Sequence, residues 1–130
     1  MGQIRIFNRP PKAFEFDNDF IKDKNIIIVD DTIVRGNTFK SLIQQIKTLG
    51  NPKSIHIRIA SPKIVEPCNL GIDLPTKEEL VVNKTDDLCD YLECNSIYFL
   101  NLQEIKNVVG DNLCSKICGC FEKGEKYNDW

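Results

Sequence analysis

The sequence has no long apolar run, no excess of basic residues and only one histidine among its 130 residues. Its longest aliphatic run, residues 26–29, is far shorter than the ~18 residues that a membrane-spanning helix needs. The first residues include no apolar segment of the kind found in signal peptides, which predicts a cytoplasmic protein. The formal net charge of −2 argues against the basic surface that binds nucleic acid. We therefore expect neither a membrane nor a nucleic-acid partner.

The length indicates one domain, because a chain of this size buries about two-thirds of its unfolded surface. We place a truncated α/β domain at residues 1–110 and a cysteine-bearing tail at residues 111–130. Apolar residues that recur every second position predict strands, and those that recur at helical spacing predict helices. The predicted strands are 3–7, 25–30, 54–61 and 96–100, and the predicted helices are 37–49, one that starts with a capping box at 76–79, 85–93 and 102–109.

Strand, helix and strand between residues 25 and 61 have the spacing of a βαβ crossover, which is normally parallel and right-handed. Gly50 stands where the glycine cap of the intervening helix is expected. The only histidine, His56, lies mid-strand, and we interpret it as an outward-facing strand residue rather than a catalytic base. The sequence thus predicts an α/β fold with a mostly parallel sheet of about four strands and flanking helices.

The most informative segment lies where the central strand ends. Four branched apolar residues lead directly into Asp30 and Asp31, and a short loop follows that ends in Gly36, Asn37 and Thr38. Open α/β sheets bind ligands at the carboxyl ends of their strands, and a glycine loop at a helix N-terminus suits an anion. The paired carboxylates only accept hydrogen bonds, so they suit hydroxyl groups beside that anion. Together these groups predict a site for a ribose 5-phosphate.

The string from residue 26 to residue 38 resembles the signature of the type I phosphoribosyltransferases, which bind 5-phosphoribosyl-1-pyrophosphate (PRPP). Among them it is most similar to the version in the glutamine PRPP amidotransferases. Four later segments agree with that family in the same order, so the resemblance covers residues 25 to about 124. They are 56–62, 66–80, 95–100 and 119–121 with the nearby Gly124.

This resemblance implies a partial type I phosphoribosyltransferase fold, which is Rossmann-like, corresponding to the C-terminal part of that domain. It implies that Asp30 and Asp31 contact the ribose hydroxyls and, directly or through water, hold Mg²⁺. Ile33 and Val34 are expected to pack in the protein. For Arg35, contact with phosphate and contact with solvent both stay open. The resemblance implies 5-phosphate binding by Thr32, Arg35, Gly36, Asn37 and Thr38.

The sequence also departs from the family. Those enzymes begin with a glutaminase domain whose nucleophile is a terminal cysteine, whereas this sequence starts with Met1 and has no cysteine before Cys68. The family's pyrophosphate-binding loop has no counterpart in this sequence. Residues 5–10 resemble the strand that leads into the family's flexible catalytic loop, but the Arg and Lys of that loop are not matched. We therefore expect a ribose-phosphate site without the glutaminase domain.

Six cysteines stand in a sequence that is predicted to be cytoplasmic, where thiols stay reduced. Cys68 matches one iron–sulfur ligand found in some family members, and Cys114, Cys118 and Cys120 lie near the others with different spacing. These four could hold an iron–sulfur cluster or zinc, but we favour free thiols. Cys89 and Cys94 are interpreted as small core residues.

Two functional classes stay open. The first is an amidophosphoribosyltransferase that forms phosphoribosylamine from PRPP in the first step of de novo purine synthesis, with ammonia or a partner chain as nitrogen source. The alternative is an inactive ribose-phosphate-binding, regulatory or assembly module derived from that family. Because strands that would flank this sheet are missing, we expect an exposed apolar edge. That edge predicts a homo-oligomer or a heteromeric complex.

Overall fold

The computed structural model describes residues 18–67 and 76–110. The strands are β1 (Asn25–Asp30), β2 (Ser54–Ile59) and β3 (Ser96–Phe99), and the helices are α1 (Asn18–Ile21), α2 (Asn37–Gly50), α3 (Val81–Lys84), α4 (Leu88–Leu92) and α5 (Leu102–Val109). A 3₁₀ turn, Lys77–Glu79, lies between β2 and α3. The strands form a three-stranded parallel sheet with the order β1-β2-β3, so that β2 lies in the middle.

The predicted α/β fold with a parallel sheet is confirmed. The strand predicted at residues 3–7 lies outside the described residues, so the structure describes three of the four expected strands. The strands β2 and β3 end at Ile59 and Phe99, slightly before the predicted ends. The ladder nevertheless continues for one residue, because the Ala60 N–H donates to the Asp30 carbonyl and the Leu100 N–H to the Ile59 carbonyl, both at 2.9 Å.

The core lies between the sheet and α2. Strand β2 alternates, with every second side chain fully buried and the others half-buried. Helix α2 turns its apolar stripe onto the same face of the sheet, and α4 adds Leu92. This packing follows from the 3.6-residue and 2-residue periodicities of the two elements. The shared cluster contains Ile55, Ile57 and Ile59 of β2 with Phe39, Ile43 and Ile46 of α2.

The opposite face of the sheet is exposed in the part of the chain that the structure describes. Ile27 and Val29 of β1 are 64% and 72% exposed, and Tyr98 of β3 is 47% exposed. Parallel sheets normally have both faces covered, and β1 is also the edge strand of the described sheet. Ile27 and Val29 therefore form an exposed apolar surface on this face, and the open edge predicted from the sequence stays a prediction. The oligomeric state that it led us to expect stays a prediction.

The end of α2 differs from the sequence prediction in one respect. Gly50 was expected to be the left-handed cap, but it is the last helical residue. Asn51 takes the left-handed conformation instead, with φ +43°, and its N–H donates to the Lys47 carbonyl at 3.3 Å. The lack of a side chain at Gly50 matters for packing, because a Cβ there would lie 2.8 Å from the Ile21 Cβ. Glycine thus allows α1 to sit against α2.

We expect Gly50→Ala to separate α1 from α2 and to destabilise the protein. Forcing a methyl group into a close contact of this kind costs about 1–3 kcal/mol. Urea denaturation should show a lower midpoint with an unchanged slope. Combining the substitution with Ile21→Ala, which removes the Ile21 Cγ2 and Cδ1 and so relieves part of the clash, should give less destabilisation than the sum of the two single changes. Strict additivity would contradict this account of Gly50.

The capping box predicted at residues 76–79 is wrong. The Thr76 side chain caps no helix N–H, and the 3₁₀ turn that follows ends at Leu80, which is extended with φ −66° and ψ +126°. Leu80 is fully buried against Ile64 and is joined there by Val34. Its burial requires the extended conformation, so α3 begins only at Val81. Tertiary packing here overrides a local capping signal.

The end of α4 is a Schellman motif, a helix ending in which a left-handed residue turns the chain back. Glu93 supplies the left-handed residue at φ +59°, and its N–H donates to the Asp90 carbonyl at 3.1 Å. The Cys94 N–H donates to the Cys89 carbonyl at 2.9 Å. This motif usually brings the side chains of the two end residues into contact. Both cysteines are half-buried, and Cys94 packs against the core as predicted, whereas Cys89 is not part of that cluster.

The pKa of the Cys94 thiol is raised to about 11, mainly by burial and to a smaller extent by the neighbouring Cys89. The folded protein therefore holds this proton more tightly than the unfolded chain does. Stability should fall as the pH rises from 9.0 to about 11, since the unfolded state loses the proton first. Urea denaturation across that range should show a steeper loss in the wild type than in Cys94→Ser. Parallel pH profiles would contradict this assignment.

Candidate functional site

The predicted site lies in the loop between β1 and α2, at the carboxyl end of the sheet. Asp30 is the last residue of β1, and its carboxylate Oδ1 accepts the Asp31 N–H at 2.9 Å. The Asp31 carboxylate accepts the Thr32 N–H at 2.8 Å in the same way. One oxygen of each acid thus fixes the start of the loop. An ionised carboxylate has a second oxygen that can also accept hydrogen bonds or bind a cation.

The pKa of Asp30 is raised from its ordinary value, and burial is the largest cause. The hydrogen bond from the Asp31 N–H lowers it, while the side-chain contact with Asp31 and the repulsion between the two charges raise it. The two carboxyl groups therefore interact with each other. A cation between them would relieve the repulsion and favour the ionised form of both.

Two apolar residues anchor the middle of the loop. Ile33 is buried in the main core with 3% exposure, and Val34 packs on Ile64 and Leu80. The Val34 carbonyl accepts the Val81 N–H at 2.7 Å, which ties the loop to the start of α3. The prediction that Ile33 and Val34 pack in the protein is confirmed. Because both are held, the polar residues on either side of them occupy defined positions.

Gly36 connects the loop to α2 in a conformation that suits only glycine. Its φ is +77°, and a Cβ there would lie 2.7 Å from the Val81 Cγ2. No side chain caps the N-terminus of α2, and its first turn contains no acidic residue. The first backbone N–H groups of a helix lack partners within the helix and carry partial positive charge. Here the side chains of Asn37 and Thr38, which lie in this first turn, are exposed.

Arg35 forms an ion pair with a residue that the sequence did not predict as its partner. Its Nε and Nη2 both lie 3.2 Å from the Glu79 Oε2, and both side chains are about half exposed. The Lys84 Nζ donates to the Arg35 carbonyl at 3.4 Å and brings a second cation to the loop. Glu79 and Lys84 are more than 40 positions away in sequence, and no local pattern indicates their place. An exposed pair of this kind contributes little stability, so an anion could displace Glu79.

The predicted residues surround one cavity of about 520 Å³. All of the predicted ligand-binding residues except Asp31 line it, together with parts of the anchoring residues. Within the described part of the chain, no three His, Cys, Asp or Glu residues converge in a way that could hold a metal ion. Any metal here would therefore rest on the acid pair and on ligand oxygens. The lining residues are Asp30, Thr32, Arg35, Gly36, Asn37 and Thr38, with Ile33, Val34 and Phe39.

The other candidate residues do not join this site. His56 hydrogen-bonds to Ser96 Oγ at 2.8 Å and to Ser54 Oγ at 3.0 Å, on the face of the sheet away from α2. The predicted iron–sulfur or zinc ligands Cys68, Cys114, Cys118 and Cys120 lie outside the described residues. Their metal-binding role stays a prediction.

Comparison with known proteins decides the relationship. The human amidophosphoribosyltransferase is 44% identical over 104 residues, which is 78% of this chain and 20% of that protein. This chain is a partial homologue of the amidophosphoribosyltransferases. The chloroplastic amidophosphoribosyltransferase of Vigna aconitifolia is 37% identical over 121 residues, which is 92% of this chain and 24% of the relative. No model of a known protein family matches the chain.

A solved structure supports the same relationship at the level of the fold. The glutamine PRPP amidotransferase from B. subtilis, in complex with ADP and GMP, matches with a TM-score of 0.67 and 28% identity. The match covers 81% of this amidophosphoribosyltransferase-like chain and 24% of the bacterial one. The type I phosphoribosyltransferase fold is thus confirmed. The chain spans about a fifth of the length of the curated relatives it matches. None of the described helices has the length and apolar character needed to cross a bilayer.

Proposed function

We propose that this chain binds the ribose 5-phosphate part of PRPP at the loop between β1 and α2. One observation carries the proposal: the uncapped N-terminus of α2 and the Asp30 carboxylate line the same cavity. The first group suits a phosphate, and the second suits sugar hydroxyls. The homology to amidophosphoribosyltransferases supports PRPP as the compound that combines both.

The phosphate would replace the missing cap of α2. It would accept hydrogen bonds from the first backbone N–H groups of the helix and from the Thr38 hydroxyl. Arg35 would exchange its surface contact with Glu79 for the phosphate, because a charge-assisted bond to a doubly charged oxyanion is stronger than an exposed ion pair. Lys84 would add positive charge from the outside of the loop.

The acid pair fits Mg²⁺ as well as ribose. Magnesium binds through one or two carboxylates and completes its shell with water and substrate oxygens. Asp30 and Asp31 offer two such oxygens, and their mutual repulsion favours a cation between or beside them. When bound, Mg²⁺ would screen the charge of the departing pyrophosphate. Asp30 and Asp31 would also stabilise the positive charge that develops on the ribose.

The reaction we assign to this site is the formation of phosphoribosylamine from PRPP and ammonia. The nitrogen forms a bond to the anomeric carbon while pyrophosphate leaves. The chain's own contribution would be to hold the ribose so that only this displacement is productive. A partner chain or a further segment would hold the pyrophosphate and deliver nitrogen.

Calorimetric titration of PRPP with Mg²⁺ into the purified chain tests the proposal. We expect saturable one-to-one binding, weaker binding of ribose 5-phosphate and no measurable binding of ribose. An assay of pyrophosphate release with ammonia then separates an enzyme from a binding module. No binding at millimolar PRPP would refute the proposal.

A further inference from the structure

A second site lies at the opposite end of the sheet, around the two thiols of Cys89 and Cys94. Residues five apart on a straight helix do not face each other, since helical neighbours are three or four positions apart. Here the left-handed Glu93 turns the chain back after α4, and the Cys94 N–H closes on the Cys89 carbonyl at 2.9 Å. As a result, the two residues lie side by side and line the same cavity.

Both thiols are accessible from outside. They line a cavity of about 570 Å³ that also includes Asp90, Glu93 and Lys47. Neither side chain is fully buried. The Lys47 Nζ lies 3.2 Å from the Glu93 Oε2 and contributes positive charge beside the Cys94 sulfur. A small reagent can therefore reach the sulfur atoms without unfolding of the core.

We propose that Cys89 and Cys94 form a dithiol site that reacts with low-molecular-weight disulfides and closes to an intramolecular disulfide. Two sulfurs are sufficient for this reaction. A metal would need more ligands, and among the residues that the structure describes no third His, Cys, Asp or Glu joins the pair. The Schellman motif brings the backbones of the two residues together, which favours closure because disulfides form only between residues whose Cβ atoms are close.

The reaction proceeds in two exchanges. The Cys89 thiolate attacks one sulfur of the small disulfide, which breaks its S–S bond and releases one thiolate. Cys94 then gives up its proton, and its sulfur attacks the Cys89 sulfur and releases the second thiolate. Two thiols are oxidised, the small disulfide is reduced, and the two protons go to the two released thiolates. Cys94 acts second because its side chain packs on the core, and burial there raises its pKa and disfavours the thiolate.

The test uses glutathione disulfide and the tryptic map of the full-length chain. Lys84 and Lys106 bound a tryptic peptide, residues 85–106, that contains Cys89 and Cys94 and none of the other cysteines. After exposure to glutathione disulfide and blocking of free thiols, we expect this peptide to carry no blocking group and to weigh two hydrogens less than the dithiol form. Treatment with a reductant before blocking should restore two blocked thiols.

Single serine variants separate the two roles. Cys94→Ser should leave Cys89 as a persistent mixed disulfide with glutathione, since the second exchange cannot occur. Cys89→Ser should react more slowly than Cys94→Ser. A wild-type peptide that keeps both thiols free would overturn the proposal, as would a mixed disulfide that accumulates equally in wild type and Cys94→Ser. Links between two chains in place of the internal bond would also overturn it.

Discussion

Gly36→Ala should destabilise the protein by about 2–5 kcal/mol and abolish detectable PRPP binding. Two costs combine at this position: a non-glycine residue in the left-handed region, about 1–2 kcal/mol, and overpacking, about 1–3 kcal/mol. The overpacking arises because the new Cβ would lie 2.7 Å from the Val81 Cγ2. With total stabilities of about 5–15 kcal/mol, a loss of this size is measurable by urea denaturation.

A double-mutant cycle isolates the clash. Val81→Ala alone is destabilising because Val81 is fully buried. Combined with Gly36→Ala, it removes the atom that the new methyl group meets, so the double variant should be more stable than the sum of the single effects predicts. PRPP binding should stay weak in the double variant, because the left-handed strain remains. A Gly36→Ala protein with wild-type stability and affinity would contradict the account of the loop.

Asp30→Asn should weaken the binding of PRPP in the presence of Mg²⁺ by about 10- to 150-fold. The amide keeps the shape of the side chain but loses the charge that accepts hydrogen bonds from sugar hydroxyls and attracts Mg²⁺. Hydrogen bonds to charged groups contribute about 1.5–3 kcal/mol, and each 1.4 kcal/mol corresponds to tenfold in affinity. We expect a smaller loss for Asp31→Asn, because Asp31 is not among the residues that line the cavity. Calorimetric titration measures both.

Asp86→Asn is the matched control for the charge change. Asp86 is exposed in the segment before α4 and does not line the cavity of the candidate site. Its substitution removes the same charge from the protein and should leave the affinity within twofold of wild type, since exposed charges at a distance are screened by salt. An equal loss of affinity in Asp30→Asn and Asp86→Asn would show that overall charge, rather than the site, determines binding.

The sequence predicted well the features that depend on local periodicity. Strand β1, helix α2 and the apolar role of Ile33 follow from residues that are neighbours in the chain. The loop position at the carboxyl end of β1 follows from the rules of parallel sheets. For this reason the predicted ligand-binding residues, apart from Asp31, lie around a single cavity.

The features that the sequence did not predict depend on distant contacts. Arg35 pairs with Glu79, which is distant in the sequence. A glycine is needed at position 50 because Ile21 of another helix packs closely against it. The capping box at residues 76–79 is not used because the burial of Leu80 determines the local backbone. At the capping box, a tertiary contact thus outweighs a local capping preference of about 1 kcal/mol.

One face of the sheet is exposed, and the chain matches only part of each relative. Ile27 and Val29 are exposed on β1, although parallel sheets are normally covered on both faces. The chain spans only about a fifth of the relatives' length. We expect a partner chain to cover this face.

The most direct test of the central claim is an NMR titration of the labelled chain with ribose 5-phosphate and with PRPP plus Mg²⁺. The account predicts that the largest shifts occur in the backbone amide signals of residues 36–39, at the N-terminus of α2, with smaller shifts at Asp30 and Asp31. Resonances around Cys89 and Cys94 should not move. Saturable binding that leaves the signals of residues 36–39 unchanged would contradict the claim that this helix end holds the phosphate.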